Sequence, residues 1–335
     1  MEKFKAFRVH TIDGKPVCKF EQLSMDDIDD GAVVIKVAYS AITYKDAMAA
    51  RGVGKNVRPD RPCVTGVDLS GTVLHSKDPR FTPGDRVAVT NYQLGTMHDG
   101  AYADYARVPA EWVVPLPDSL SLWDAMVLGT SGLTAALAVD RFEKAGLKPG
   151  DGPIGISGAT GGVGSLAINM LSNLGYEVIA ISGKREQEGY LREIGASKII
   201  LREDFMKDPA PMVSGAYMAG AMDNVGGQFL DRLCANVKPH GKVAIAGMVF
   251  VDTKMTVLPF VLRSVDILGI NVSRQLAMPE RKRLWDRMGA DLKPTKSDLI
   301  ASTIPFEQLD SKMDGFFDVS TVGRIVVEVT EKKAA

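Results

Sequence analysis

Residues 153–164 read Pro-Ile-Gly-Ile-Ser-Gly-Ala-Thr-Gly-Gly-Val-Gly, a short apolar run that breaks into glycines and leads directly into the apolar helical pattern of 163–174. A buried strand, a glycine turn and a helix entered at its N-terminus leave few folds open. The N–H groups of a helix's first turn lack intrahelical partners and attract anionic oxygens, so this segment predicts a βαβ unit carrying a dinucleotide pyrophosphate. The fingerprint Gly-x-Gly-x-x-Gly appears as Ala159-x-Gly161-x-x-Gly164, with Gly158 one place earlier. Gly161 would let the backbone approach the pyrophosphate, and Gly164 would let the helix lie close to the sheet. Gly158, Ala159, Thr160, Gly161, Gly162, Val163 and Gly164 therefore form the expected cofactor turn.

The next β-rich run, 176–181, ends in Ser182-Gly183-Lys184-Arg185. A carboxylate at that place would bind a free ribose and repel a 2′-phosphate. A hydroxyl and two cations are suited to phosphate oxygens instead, so the expected cofactor is NADPH, held by Ser182, Lys184 and Arg185. Arg202, just past the run 198–201, stands where it can close the same pocket.

Further along, periods alternate between helix and strand. The strand 154–156, helix 163–174, strand 176–181, a helix through Tyr190 and the strand 198–201 make one half of a doubly wound parallel sheet. The runs 221–224, 242–247 and 267–270, with a helix around 229–236, make the other half. Before residue 125 the pattern differs: β-rich runs at 33–39, 67–74, 85–90 and 101–108 are separated by Gly, Pro and Asp turns, which reads as a mainly β barrel or sandwich. The runs 303–306 and 323–329 return to that character after a helix bearing Leu284, Trp285, Met288 and Leu292. Ser121 is placed to cap a helix with Trp123 and Met126, whose three-residue spacing reads as packing, as does that of Trp285 and Met288. A chain of 335 residues with 45% apolar composition supplies two cores. The expected class is α/β, with a β domain at 1–125 plus 290–335 and an inserted Rossmann NADPH-binding domain at 126–289.

Composition excludes several roles. Forty basic and 41 acidic side chains, with no long block of one sign, argue against a nucleic-acid partner. No run reaches the roughly 20 apolar residues that cross a bilayer, and no export signal opens the chain, so no membrane partner and a cytoplasmic location are expected. Cys18, Cys63 and Cys234 are far apart, as suits reduced, buried thiols. The four histidines, His10, His75, His98 and His240, have no Cys/His spacing suited to a structural zinc site.

Several segments carry a family resemblance. Ile42-Thr43-Tyr44-Lys45-Asp46, Gly129-Thr130-Ser131-Gly132-Leu133-Thr134-Ala135, Asp223-Asn224-Val225-Gly226-Gly227, Pro259-Phe260-Val261-Leu262-Arg263 and Gly323-Arg324-Ile325-Val326-Val327 resemble the medium-chain dehydrogenase/reductase superfamily. Within it they are most similar to the YhdH/YhfP branch of quinone oxidoreductases and acrylyl-CoA reductases, over essentially the whole chain. The resemblance implies a GroES-like β domain beside the Rossmann fold, and it adds Gly247, Asn271 and Arg324 to the cofactor residues. Relatives usually carry Asn at Thr43 and Thr at Asn224, often with Asp near Asn271. Zinc-dependent relatives use cysteine near 43–46 and histidine near 66–68; this chain has neither, so no metal is expected. The loop 91–102 also departs from the branch.

The resemblance implies hydride transfer from nicotinamide to a small electron-poor acceptor, an activated alkene such as acrylyl-CoA or a quinone. An NADPH-binding protein without turnover is the third reading. Without zinc, positioned donors must stabilise developing negative charge. Tyr44, expected to face the nicotinamide, is the leading catalytic candidate, since a neutral phenol can hydrogen-bond an oxyanion. Lys45 reads as a solvated surface cation that could assist an anionic substrate, Asp46 as a loop anchor, Asp68 and Arg86 as a structural charge pair, and His98 as a loop residue. An exposed strand edge near the nucleotide domain makes a homodimer the expected assembly.

Overall fold

The computed structural model describes residues 3–54, 57–207, 215–247 and 249–330. The chain divides into two compact units: Met1–Thr130, Ser273–Gly289 and Ala301–Ala335 form the first, and Ser131–Val272 with Ala290–Ile300 the second.

The first unit opens with a hairpin of β1 (Phe4–Ile12) and β2 (Lys15–Leu23). Next come β3 (Val33–Ile42), helix α1 (Tyr44–Arg51), β4 (Cys63–Val64), β5 (Asp68–Ser76), β6 (Arg86–Thr90), β7 (Tyr105–Val108) and β8 (Val114–Pro115). Helix α2 (Leu122–Lys144) follows and is broken at Gly129, whose φ of 47° and ψ of −149° are not helical. The unit boundary falls one residue later, between Thr130 and Ser131. Ser121 Oγ accepts from the Asp124 N–H (3.0 Å) at the start of α2, as its position in the sequence implies. By length and composition α2 is apolar enough to cross a membrane, but 78% of its apolar window is buried inside the protein, as in a core helix.

In the second unit β9 (Ile154–Ser157), α3 (Gly162–Asn173), β10 (Val178–Ser182), α4 (Glu188–Glu193), β11 (Lys198–Leu201) and α5 (Arg202–Lys207) form the first half. The second half runs β12 (Met218–Asp223), α6 (Gln228–Ala235), β13 (Val237–Ile245), α7 (Leu258–Arg263) and β14 (Asp266–Gly269). All adjacent strands are parallel, in the order β11-β10-β9-β12-β13-β14. The order reverses beside β9, and such reversals are where doubly wound sheets place ligands, at the carboxyl ends of their strands. β9 and β10 are buried along their whole length, the burial that helices on both faces give a parallel strand.

The chain then adds α8 (Met278–Met288) to the first unit, α9 (Ser297–Ile300) to the second, and β15 (Ala301–Pro305) and β16 (Arg324–Glu328) to the first. β15 and β16 continue the sheet β15-β16-β3-β5-β6-β8, with β7 also paired to β3. These divisions differ from boundaries at 126 and 289, and side-chain contacts explain the difference. Within the first unit, Arg281 of α8 donates to the Thr90 carbonyl (3.3 Å) and hydroxyl (3.0 Å), and Ser119 Oγ donates to the Gly289 carbonyl (2.6 Å). Within the second, the Thr295 N–H donates to Asn169 Oδ1 (2.9 Å), which keeps 290–300 there.

One expected pairing is corrected. Arg86 donates to the Leu120 carbonyl (2.8 Å) and pairs with exposed Asp118, while fully buried Asp68 faces Arg324 at 3.7 Å. Arg324 also donates to the carbonyls of Val127 (3.1 Å), Ile42 (3.3 Å) and Met126 (3.2 Å). Thr130 closes the other side, donating from its N–H (2.8 Å) and hydroxyl (2.5 Å) to the Asp68 carboxylate. Burial pushes the Asp68 carboxyl up and Arg324 down, each partly offset by its partner's charge. We take the pair as ionised at neutral pH, because a guanidinium keeps its proton in proteins. Removing one member of a buried pair strands the other, so Arg324→Met should destabilise the protein by about 3–5 kcal/mol in urea unfolding. A loss under about 1 kcal/mol would show that the pair holds nothing together.

Candidate functional site

Ser157 ends β9, Gly158 turns in the left-handed region (φ 56°), and α3 begins at Gly162 with Gly161 as its N-cap. A Cβ on Gly164 would lie 2.4 Å from the Gly158 carbonyl oxygen, so no larger residue fits without shifting the turn. Behind the turn, buried Ser165 donates to the Ala159 carbonyl (3.3 Å), and Tyr190 of α4 donates to Ser165 Oγ (2.8 Å). On the far side, Ser157 Oγ donates to Asp223 Oδ1 (2.7 Å) and accepts from the Asn224 N–H (2.8 Å). The Asn224 amide also donates to the Ser157 carbonyl (2.8 Å). A Cβ on Gly247 would sit 1.9 Å from the Asn224 carbonyl carbon, so the chain after β13 rests directly on that backbone. Neither the Tyr190–Ser165 bond nor the Ser157–Asp223–Asn224 network carries a local sequence signal.

Ser182, Lys184 and Arg185 follow one another at the carboxyl end of β10. The Ser182 hydroxyl accepts from the Lys184 N–H (3.0 Å). Arg202, first residue of α5, lays its guanidinium across Gly183, about 3.3 Å from where a Cβ would be. Arg185 pairs with Glu203 at 3.2 Å, both side chains largely exposed. A pocket of about 200 Å³ is lined by Gly183, Arg185, Glu186, Leu201, Arg202 and Glu203. The structure thus brings Arg202 to Gly183 and lines one pocket with Arg202 and Arg185, beside Ser182 and Lys184. Gly247 and Asn271 lie at the other end of the same sheet edge, past β13 and β14; Asn271 is exposed, three strands from β9, about 14 Å at ordinary strand spacing.

Two candidates belong to the first unit. Arg324 is 3% exposed and committed to Asp68 and backbone carbonyls, so the structure does not place it among the cofactor residues. Tyr44 is the first residue of α1, 38% exposed, with its ring 5.6 Å from that of Phe317. Thr43 N-caps α1, and buried Asp46 completes a capping box by accepting from the Thr43 N–H (2.8 Å) and hydroxyl (2.6 Å). Thr and Asn are both good N-caps, so the departure at 43 preserves the helix start. The second Asp46 oxygen accepts from the Val67 N–H (2.9 Å). His98 is tied to the carbonyls of Asp99 and Asp30. Of the three free thiols, Cys63 and Cys234 are buried and Cys18 only half-buried.

The donor set does not suit zinc. Thr43 and Val67 occupy the segments where zinc-dependent relatives carry cysteine and histidine, and Asp46 and Asp68 already accept protein donors. Among the described residues, no group of three His, Cys, Asp or Glu side chains is arranged to hold a metal.

A six-stranded parallel sheet with this glycine turn at its reversal point defines a dinucleotide-binding class of architecture. Residues 29–118 match the model of the alcohol dehydrogenase GroES-like domain, and 162–288 that of zinc-binding dehydrogenases. YhfP of Bacillus subtilis, named provisionally as a quinone oxidoreductase, is 42% identical over 92% of this chain and 93% of its own. Its crystal structure with NAD bound has a TM-score of 0.94 at 40% identity, covering 98% of this chain and all of that one. The acrylyl-CoA reductase AcuI of Ruegeria pomeroyi is 38% identical over 94% of this chain and 96% of its own. The yhdH oxidoreductase of Salmonella enterica, in complex with NADP, has a TM-score of 0.93 at 35% identity, covering 97% of this chain and all of that one. The chain belongs to the medium-chain dehydrogenase/reductase superfamily, in the oxidoreductase branch that holds YhdH, YhfP and AcuI.

Burial pushes the Asp46 carboxyl from its ordinary 3.8 up to about 6; the charge of Asp68 adds to this, and the donors from Thr43 and Val67 oppose it. A raised folded value means that the folded state holds this proton more tightly than the unfolded one. Stability relative to an Asp46→Asn variant should therefore fall as pH rises from about 4 to about 6 and level off above that, in urea unfolding across a pH series. Parallel curves for the two proteins would contradict the raised value.

Proposed function

We propose that the protein is a zinc-independent, NADPH-dependent oxidoreductase that transfers hydride to an activated alkene, such as acrylyl-CoA or another α,β-unsaturated carbonyl compound. The observation that carries the cofactor half is the end of β10, where Lys184, Arg185 and the guanidinium of Arg202 stand in place of a ribose-binding carboxylate. The residues fit the group. Gly158, Ala159, Thr160, Gly161, Gly162, Val163 and Gly164 offer the pyrophosphate a helix start that a Cβ at 164 would disrupt. Ser182, Lys184, Arg185 and Arg202 take the 2′-phosphate, and Gly247 and Asn271 flank the nicotinamide half along the sheet edge. The NADP complex of the Salmonella relative supports this reading; the NAD complex of YhfP makes cofactor preference the point to measure.

When bound, NADPH supplies the hydride. Tyr44 is proposed to donate a hydrogen bond to the acceptor's oxygen as it gains negative charge; its exposed hydroxyl has no hydrogen-bond partner among the described residues. The alkene reading is supported by AcuI, and a second reading, quinone reduction by the same hydride route, by the name of YhfP.

Arg202→Ala should weaken NADPH binding roughly 10-fold or more and NADH binding less than about threefold, since only NADPH offers the phosphate to this cation. Equal losses in fluorescence titration would contradict the pocket. NADPH oxidation should depend on acrylyl-CoA or small enones, with stoichiometric saturated product, and Tyr44→Phe should lower turnover more than NADPH affinity. Oxidation with quinones alone would favour the second reading, and binding without oxidation by any acceptor would overturn both.

The same proposal includes a homodimer. β14 is an edge strand, and Val249, Phe250, Val251, Val257, Val261 and Leu262 expose apolar side chains in the segments just before it. A second copy would pair that edge and cover those side chains. Light scattering should give twice the chain mass, and Val261→Asp should halve it; a monomeric parent would remove the dimer.

A further inference from the structure

We infer that Lys45 is a second catalytic residue, the cation that meets the acceptor's developing oxyanion, and that Asn91 and Arg281 are the residues that position it. This rests on the oxidoreductase reading above. The starting observation is a strained turn in the loop after β6. Asn91 and Tyr92 both have positive φ, 64° and 57°. Asparagine tolerates the left-handed region, but a bulky tyrosine adopts it only where its surroundings impose it.

Those surroundings are identifiable. Arg281 is fully buried; it donates to the Thr90 carbonyl and hydroxyl and to the Ser273 carbonyl (2.9 Å). Its guanidinium lies 4.4 Å from the centroid of the Tyr92 ring. The Trp112 ring stacks on Tyr92 at 5.4 Å with an interplanar angle of 6°. From the other side, the Asn91 N–H is anchored on the Val67 carbonyl (2.8 Å). A turn clamped from both flanks against its own preference must be held for something other than local stability.

What the clamp delivers is the Asn91 side-chain oxygen, which accepts from Lys45 Nζ at 3.0 Å. Lys45 is the second residue of α1, directly after Tyr44, and is half-buried. Asn91 is its one hydrogen-bond acceptor among the described residues. An ammonium has three donors, so two remain for an external oxygen. The choice of an amide matters, since a carboxylate at 91 would orient the ammonium and cancel its charge, whereas a neutral carbonyl oxygen orients it and leaves the charge available. On receiving hydride at its β-carbon, the acceptor shifts the alkene electron pair onto its carbonyl oxygen. Lys45 stabilises that oxyanion without giving up its proton, and water protonates the α-carbon to complete the reduction.

The test uses the full-length protein with NADPH and acrylyl-CoA, in Lys45→Met, Lys45→Arg and Asn91→Gly variants. Removing one oxyanion donor should lower kcat about 100-fold in Lys45→Met, with NADPH affinity and melting temperature close to the parent's, and arginine should restore part of the loss. Asn91→Gly keeps the left-handed backbone at 91 accessible while deleting the acceptor, so turnover should fall about tenfold with stability close to the parent's. A residue of structural importance alone would lose stability and turnover together. Binding of a nitronate, a stable mimic of the enolate, gives a readout that needs no turnover, and Lys45→Met should weaken it at least about tenfold. Turnover within threefold of the parent, or unchanged nitronate binding, in Lys45→Met would overturn the assignment. Failure of the oxidoreductase reading would show separately, as nitronate binding that depends on Lys45 in a protein that oxidises no NADPH.

Discussion

The buried contact between Asp68 and Arg324 ties together parts of the first unit that are far apart in the chain. Asp68 begins β5 and Arg324 begins β16, 256 positions later in the chain, and the guanidinium also gathers the carbonyls of Ile42, Met126 and Val127. Three strands and the break in α2 therefore converge on one charge pair. Gly129 has no side chain because none can be accommodated: a Cβ there would lie 2.5 Å from Asp68 Oδ2 and 2.9 Å from Arg324 Nη2. Two desolvated charges are a poor source of net stability against an apolar core, and their value here is in fixing which segments meet. The carbonyl of Ile42 lies two residues before Tyr44, so the start of α1 takes its position from a residue near the end of the sequence.

The second unit is organised by a different constraint, the approach of backbones to one another without side chains between them. Gly164 lies against the carbonyl of Gly158, and Gly247 against the carbonyl of Asn224, at separations that exclude a methyl group. One contact seats α3 on the sheet, and the other brings the chain after β13 onto the loop after β12. The polar network of Ser157, Asp223 and Asn224 then ties the end of β9 to the loop after β12, leaving the Asn224 side-chain oxygen without a protein partner among the described residues. A ligand cradle made of backbone depends on such packing for its shape, since it has few side chains to adjust.

These two modes of construction explain what the sequence discloses. The glycine turn, its helix at 163–174 and the strand at 198–201 are written in adjacent residues, and the structure places them within a residue of the expected limits. Strand ends shift by a few residues where pairing rather than composition sets the limit, as β3 continues to Ile42 through its partner β16. Partners far apart in sequence leave no local trace. Arg324 has the appearance of a phosphate ligand until Asp68 is found beside it, and Asp68 is as near in sequence to Arg86 as to many other cations. Residues 273–289 follow a Rossmann strand, yet Arg281 binds them to the end of β6. The approach of Arg202 to Gly183 was legible because Arg202 follows a strand whose neighbour ends in Ser182-Gly183-Lys184-Arg185, whereas Tyr190, which bonds Ser165 behind the proposed cofactor turn, has no pattern to announce it.

The carboxylates of the first unit show how stability and positioning are exchanged. Asp46 and Asp68 are both fully buried, and one arginine serves the pair; Asp46 is left with backbone and hydroxyl donors and its carboxyl is pushed up to about 6. An apolar residue at 46 would avoid that cost but would release Thr43 and the Val67 N–H, the two anchors that set the first turn of α1 and the loop before β5. Val67 is the hinge of the arrangement, because its N–H is held by Asp46 while its carbonyl holds Asn91. Through that single residue, the position of a buried carboxylate is transmitted to both ends of the Lys45–Asn91 contact. The chain thus buries two acids, at 46 and 68, and Asp46 in particular fixes the helix start that carries the exposed Tyr44 and half-buried Lys45.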